Sequence, residues 1–274
     1  MSERDGFQPG VPCWVDTWQP DADAAVAFYT KIFGWEANDT MPPGIEGKHF
    51  MCSLRGRDVA AVASRPEGAP PVTAWTTYIW TDDVDRTVDK ATGAGGSVVK
   101  EAFDSLDGGR IAIIADPAGA VLGIWQPGAH KGAQLVNEPS AYSMSGLVTN
   151  DPEGSKRFYT EVFDWGTEGF DMGDAEMTMW TVPGYVGGEP QQPVPRDVVA
   201  VMLPASANGD APPPHWSVDF WIGNVDEAAA KVAELGGQVL AEPYDIPGTG
   251  LRQGAFADPQ GATFSLTRPP GLEG

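Results

Sequence analysis

The sequence predicts an α+β protein assembled from four modules of the same order, strand–helix–strand–strand–strand. Three observations carry this expectation. The chain is internally duplicated, helical and strand periodicities follow one another in a fixed order, and turn residues punctuate both halves at matching places. FYTKIFGW at Phe28–Trp35 returns as FYTEVFDW at Phe158–Trp165. Trp75–Val99 returns as Trp216–Leu240, and Ala115–Pro127 as Ala257–Pro269. The offset grows from 130 to 142 residues along the chain, as it does when surface loops differ in length.

In the first half the pattern places a strand over 12–18, a helix over 22–34 and strands over 48–55 and 57–64. The second module follows with a strand over 74–81, a helix over 83–94 and strands over 97–102, 110–115 and 120–126. Asp21 and Asp151 open the first helix of each half, where an acidic cap is favoured. Val26, Phe28, Tyr29, Ile32 and Phe33 form a helical apolar stripe, which Phe158, Tyr159, Val162 and Phe163 repeat. These aromatics read as core, so the octapeptide is a structural fingerprint. Gly93–Gly96 ends the second helix, and Gly236-Gly237 ends its copy. Residues 1–130 are expected to form one domain, 131–140 a linker and 141–274 a second domain. Pro70-Pro71 and Pro212-Pro213-Pro214 are expected to mark the joints between modules.

Composition narrows the partners. Hydrophobic residues make up 42% of 274, enough for packed cores, and the net charge is −21. Such a chain repels phosphate backbones, so nucleic acid is not an expected partner, whereas a cationic small molecule is attracted. The same charge also serves as an ordinary solubilising surface. Cys13 and Cys52 do not make a disulfide framework. No apolar run approaches the roughly 18 residues of a membrane span, and MSERDGFQPG lacks a signal-peptide pattern. A cytoplasmic protein with free thiols and no membrane partner is the expectation.

The opening strand, Asp-x6-Phe-Tyr, Phe-x-Trp and the later Asp-Pro-x-Gly before a final strand resemble the vicinal oxygen chelate superfamily. That superfamily includes glyoxalase I, extradiol dioxygenases and bleomycin-resistance proteins. The resemblance runs from about Pro12 to Pro269. It implies that the modules pair into two glyoxalase-like domains whose sheets curl around a cavity. It also implies a divalent metal held by His, Gln or Glu on the first and last strands. The tandem arrangement resembles two-domain actinobacterial proteins, some of them found in antibiotic pathways.

The matching positions here are Trp14, Thr76 and Gly123 in one half, and Met144, Ser217 and Ser265 in the other. None is a usual ligand, and Val59–Ser64 and Val198–Leu203 offer no carboxylate. A one-residue slip adds only Cys13, and His215 could share a face with Asp219. No metal or other cofactor is therefore expected, and no catalytic residue is assigned.

Strand alternation turns Trp216, Val218, Phe220 and Ile222 toward the helices and leaves the other face inward. The inward candidates for ligand binding are Trp14, Asp16, Trp18, Tyr78, Trp80 and Trp125, with Asp219 and Trp221 in the second half. Indoles and phenols can stack on planar rings, and a buried carboxylate can pair with an ammonium. Each tryptophan is equally consistent with core filling. The expected function is metal-free binding of a planar, cationic, anthracycline-like natural product. Its place would be antibiotic self-resistance, or product binding beside a biosynthetic oxygenase. The alternative is an isomerase, cyclase or hydroxylase of this superfamily acting on an aromatic polyketide, with Asp16 or Asp219 as base. With its five inward aromatics, the first half is expected to be the better aromatic binder. Whether modules pair within a half or across halves is open at this level.

Overall fold

A computed structural model describes residues 3–272, apart from 68, 70, 71, 106, 107, 172–175, 188–194 and 205–212. The expected joints at Pro70-Pro71 and Pro212 therefore lie outside the described residues, while Pro213 and Pro214 lead into a strand.

The first half contains β1 (Pro12–Gln19), α1 (Ala22–Phe33), β2 (Glu36–Asp39), β3 (His49–Leu54) and β4 (Arg57–Ser64). It continues with β5 (Trp75–Trp80), α2 (Val84–Gly93), β6 (Ser97–Asp104), β7 (Arg110–Ala115) and β8 (Val121–Gln126). The second half repeats this as β9 (Tyr142–Thr149), α3 (Pro152–Phe163), β10 (Gly166–Asp171), β11 (Glu176–Thr181) and β12 (Val198–Pro204). It ends with β13 (His215–Trp221), α4 (Val225–Glu234), β14 (Gln238–Asp245), β15 (Arg252–Ala257) and β16 (Thr263–Arg268).

The modules of one half pair with each other. Their first strands run side by side, giving two curled eight-stranded sheets ordered β2-β3-β4-β1-β5-β8-β7-β6 and β10-β11-β12-β9-β13-β16-β15-β14. β1 lies antiparallel to β5 and parallel to β4, and β9 repeats the arrangement with β13 and β12. Both seams carry an irregularity at the same place. Cys13 interrupts the ladder between Pro12 and Trp14, and Ser143 does so between Tyr142 and Met144.

The helices lie on the outer, convex faces and fill the space between the two sheets. Each α1-type helix is capped by its aspartate, Asp21 accepting from the Ala24 amide and Asp151 from the Gly154 amide. Each ends in a left-handed residue, Gly34 in α1 and Asp164 in α3. That is why the octapeptide reads FGW once and FDW once: both residue types tolerate this conformation better than a β-branched one.

The halves interlock through these helices. α1 carries Phe28, Tyr29 and Phe33 into a core shared with Phe220, Phe264 and Leu266 of the other half. α3 carries Phe158, Tyr159 and Phe163 into a core shared with Ile79, Ile114 and Ile124. Trp35 donates its indole N–H to the Ser140 carbonyl at 2.7 Å, and Trp165 donates to the Gly10 carbonyl at 2.7 Å. Gly10 and Ser140 occupy equivalent positions and both have positive φ, 84° and 68°.

Candidate functional site

The concave faces of the two sheets have the same register and opposite characters. In the first sheet Trp14 faces Tyr78, Tyr78 faces Gly123, and Trp80 faces Trp125. Trp14, Tyr78 and Trp125 are 1%, 0% and 2% exposed; Tyr78 packs edge-on against Trp125, and both Trp14 and Trp125 pack edge-on against His130. All three belong to one buried cluster with Ile111 and Ile113. Tyr78 donates its hydroxyl to Asp16 at 2.9 Å, and Asp16 is itself buried. Trp18 is partly exposed, with the Lys100 ammonium 5.2 Å from its ring and 4.0 Å from that of Phe103. Burial lowers the Lys100 pKa from its ordinary value. Trp80 sits apart from this stack, 6.1 Å from the ring of Phe7.

In the second sheet the row Trp14–Tyr78–Gly123 becomes Met144–Asp219–Ser265, and the pair Trp80–Trp125 becomes Trp221–Thr267. Aromatics that plug the first concavity are replaced by small and polar groups. Asp219 is the central feature. The Ser143 hydroxyl donates to its Oδ2 at 2.6 Å and the Thr267 hydroxyl to its Oδ1 at 2.6 Å. The backbone irregularity at Ser143 is what brings that side chain beside Asp219, since its hydroxyl also donates to the Asp219 carbonyl. In the first half Cys13 takes the same place, its thiol 3.5 Å from the Tyr78 carbonyl.

A polar relay leads from Asp219 toward the edge of the sheet. The Gln253 amide donates to Thr267 at 3.0 Å, and the exposed Tyr244 donates to Gln253 at 3.1 Å. Burial pushes the Asp219 carboxyl up to about 6, against the pull of its hydrogen bonds from Ser143, Thr267 and Gln253. On the other side of the floor the surface is apolar. Val148 pairs with Leu203, Phe170 with Met177, and Gly146 with Val201, all partly or well exposed except for neighbouring Met179. Trp221, by contrast, is 7% exposed.

Each candidate residue thus has a place. Asp219 is partly exposed on the concave face of the second sheet. Trp14, Tyr78 and Trp125 offer no free stacking face in this conformation, so the aromatic count of the first half measures packing. His130, Ser143, Gln253 and Tyr244 also belong to these two faces, and no sequence motif marks them.

The donor set does not fit the divalent metal that the superfamily pattern implies. A Cβ at Gly123 would overlap the Tyr78 ring, so no side chain can project from that position. Thr76 stands opposite Asp16, one row away from Trp14. Met144 and Ser265 leave Asp219 as the single strong donor of its row. His215 pairs with Val148 at the far end of β13, four residues from Asp219 and roughly 13 Å along the strand. Its Nδ1 lies 2.8 Å from the Pro213 carbonyl. Burial raises the Cys13 thiol well above its ordinary pKa and the Cys52 thiol to about 12, disfavouring the thiolate a metal needs. Among the described residues no group of three or more His, Cys, Asp or Glu could hold a metal ion.

The family model described as Glyoxalase/Bleomycin resistance protein/Dioxygenase superfamily matches residues 14–124 and again 141–266. The chain belongs to this superfamily. Its similarity to "Putative glyoxylase CFP32" of Mycobacterium tuberculosis is 40% identity over 275 residues, 98% of each chain. To the "Anthracycline biosynthesis protein DnrV" of Streptomyces peucetius it is 34% over 276 residues, covering 95% of this chain and 94% of that one. Among solved structures of the superfamily's fold, the Mn(II)-bound glyoxalase from Novosphingobium aromaticivorans superposes with a TM-score of 0.62 at 17% identity. That match covers 97% of this chain and 83% of the other. The 2,2',3-trihydroxybiphenyl 1,2-dioxygenase of Sphingomonas wittichii strain RW1 also gives 0.62, at 14% identity over 95% and 91%. Both likenesses establish the glyoxalase/dioxygenase fold. None of the described helices is long and apolar enough to cross a membrane.

Proposed function

We propose that this chain binds a planar aromatic small molecule bearing a cationic amine, in the concavity of the second sheet, without a metal. The observation that carries the reading is Asp219: a partly exposed carboxylate on the concave face of the second sheet, held by Ser143 and Thr267, with Val148, Leu203 and Met177 on the other side of that face. An ammonium entering there gains a partly desolvated ion pair, while rings lie over the Val148, Leu203 and Met177 side. The net charge of −21 draws such a ligand toward the chain.

An anthracycline-type polyketide with an amino sugar fits this description, and DnrV, 34% identical over nearly the whole chain, is an anthracycline biosynthesis protein. The role we assign is sequestration, either as self-resistance or as product capture beside a biosynthetic oxygenase. The test is titration of intrinsic tryptophan fluorescence with a panel of amino-sugar anthracyclines and their aglycones. Saturable binding of the amino sugars supports the reading, and equal or better binding of the aglycones removes the role given to Asp219.

One observation favours a second reading. A carboxyl with a pKa of about 6 is close to the value at which a general base works best near neutral pH. Asp219 could then remove a proton from an aromatic polyketide in an isomerisation or cyclisation. Product formation that disappears in Asp219→Asn, with the substrate still bound, would establish it.

A further inference from the structure

We propose that a second site, a cleft where the two halves meet, takes a planar aromatic anion. Its origin lies in a difference between the duplicated modules. β3 and β4 are joined by Arg55-Gly56 alone, whereas residues 182–197 separate β11 from β12. The described start of that longer connection brings Tyr185 and Gly187 against Phe7 and Trp80, around a cleft of about 510 Å³. That volume lies within the roughly 300–1,000 Å³ usual for small-molecule sites.

The charge of the cleft opposes that of the chain. Its lining contains Arg4 and Lys131 against one acid, Asp5, in a protein with 38 acidic and 17 basic side chains. Arg4 donates to the Gly187 carbonyl at 2.6 Å and so ties Gly187 to the first half. Burial raises the Tyr185 pKa, and the guanidinium of Arg4 beside it works in the opposite direction. Lys131 is exposed and forms no ion pair with the described residues. The equivalent place in the other half shows what is different here. There Glu138 neutralises Arg55, but its counterpart in this cleft is Gln8, a neutral amide. The lining thus sets two basic side chains and one acidic one beside aromatic walls, a combination suited to a ring carrying a carboxylate, sulfonate or phosphate.

This site is distinct from the Asp219 concavity in position and in the sign of its ligand, so the two proposals stand or fall separately. The experiment is calorimetric titration of the full chain with 2-naphthoate, with 2-naphthalenemethanol as the uncharged control. Saturable binding of naphthoate with a Kd below about 1 mM is expected, and about tenfold weaker binding in Lys131→Glu. Lys131 is on the surface, so that variant keeps its fold, which thermal unfolding checks. Asp219→Asn should bind naphthoate as the parent does. No saturation by about 5 mM, equal affinity for the alcohol, or an unchanged affinity in Lys131→Glu would each overturn the proposal.

Discussion

Tyr29 of the first half donates its hydroxyl to Asp258 of the second at 2.8 Å, and Tyr159 of the second half donates to Asp116 of the first at 3.0 Å. Each tyrosine also accepts an indole N–H from the opening strand of its own half's second module, Trp75 at 3.0 Å and Trp216 at 2.9 Å. Each aspartate uses its other oxygen to hold its own Asp-Pro-x-Gly turn, through the amides of Ala118 and Ala120 or of Gln260 and Ala262. The repeated octapeptide and the repeated turn motif are thus two ends of one bond, made twice across the junction. Their duplication follows from a fused pair of self-complementary units.

The two bonds are not equally supported. Asp258 Oδ2 also accepts from the Gln19 amide at 2.7 Å, whereas among the described residues Tyr159 is the donor to Asp116 Oδ2, and burial raises the Asp116 pKa. Tyr159→Phe should therefore destabilise the protein more than Tyr29→Phe. Expected losses are about 2–3 and about 1–2 kcal/mol, read as shifts in the urea unfolding midpoint. Equal losses would contradict the asymmetry.

Asp164 supplies a simpler test. It is exposed and left-handed at φ 59°, where its counterpart Gly34 has φ 71°. Asp164→Gly should stabilise the chain by about 0.5–1 kcal/mol, and Gly34→Asp should cost a similar amount. Both are measurable by thermal unfolding.

Trp14 and Trp125 should behave as core residues. Their rings meet each other's neighbours and His130, 4.5 Å and 5.5 Å away. Trp14→Leu should cost about 2–4 kcal/mol of stability, leaving affinity for a cationic aromatic ligand within about twofold of the parent once measured below the unfolding transition. A stable variant that has lost binding would place the ligand in the first concavity instead.

Asp219 links stability to pH. Its folded pKa of about 6 lies above the unfolded value of about 3.9, so the folded state binds more protons between the two. Stability from this group is present below about pH 4 and is lost as pH rises through 6. The loss is on the order of 2–3 kcal/mol. Asp219→Asn should flatten that part of the stability–pH profile and unfold later than the parent at pH 7.5. A profile unchanged by the substitution would show that Asp219 ionises freely.

Much of this architecture is legible in the sequence, for physical reasons that also mark its limits. Alternation assigns Trp216, Val218 and Phe220 to the helix-bearing face, and there they lie. It does not say which helix meets them, and Phe220 packs on Phe33 of the other half, 4.9 Å away. β2 escaped because Glu36–Asp39 is a short edge strand without apolar alternation. The inward register of Trp14, Tyr78 and Trp125 is correct, yet register cannot tell an open ring from one covered by its neighbours. Asp219 is visible as an inward carboxylate. Its hydroxyl partners are not, because Ser143 reaches it through an irregularity in β9 and Gln253 through a third strand.

The most direct test of the central claim is the enthalpy and affinity of an amino-sugar anthracycline titrated into the parent and into Asp219→Asn, at pH 5 and pH 7.5. Ionisation of Asp219 through about pH 6 should strengthen binding to the parent at the higher pH. The Asn variant should bind about tenfold or more weakly at pH 7.5 and lose the pH dependence. Equal affinity of parent and variant at pH 7.5, with both folded, would contradict the placement of the site.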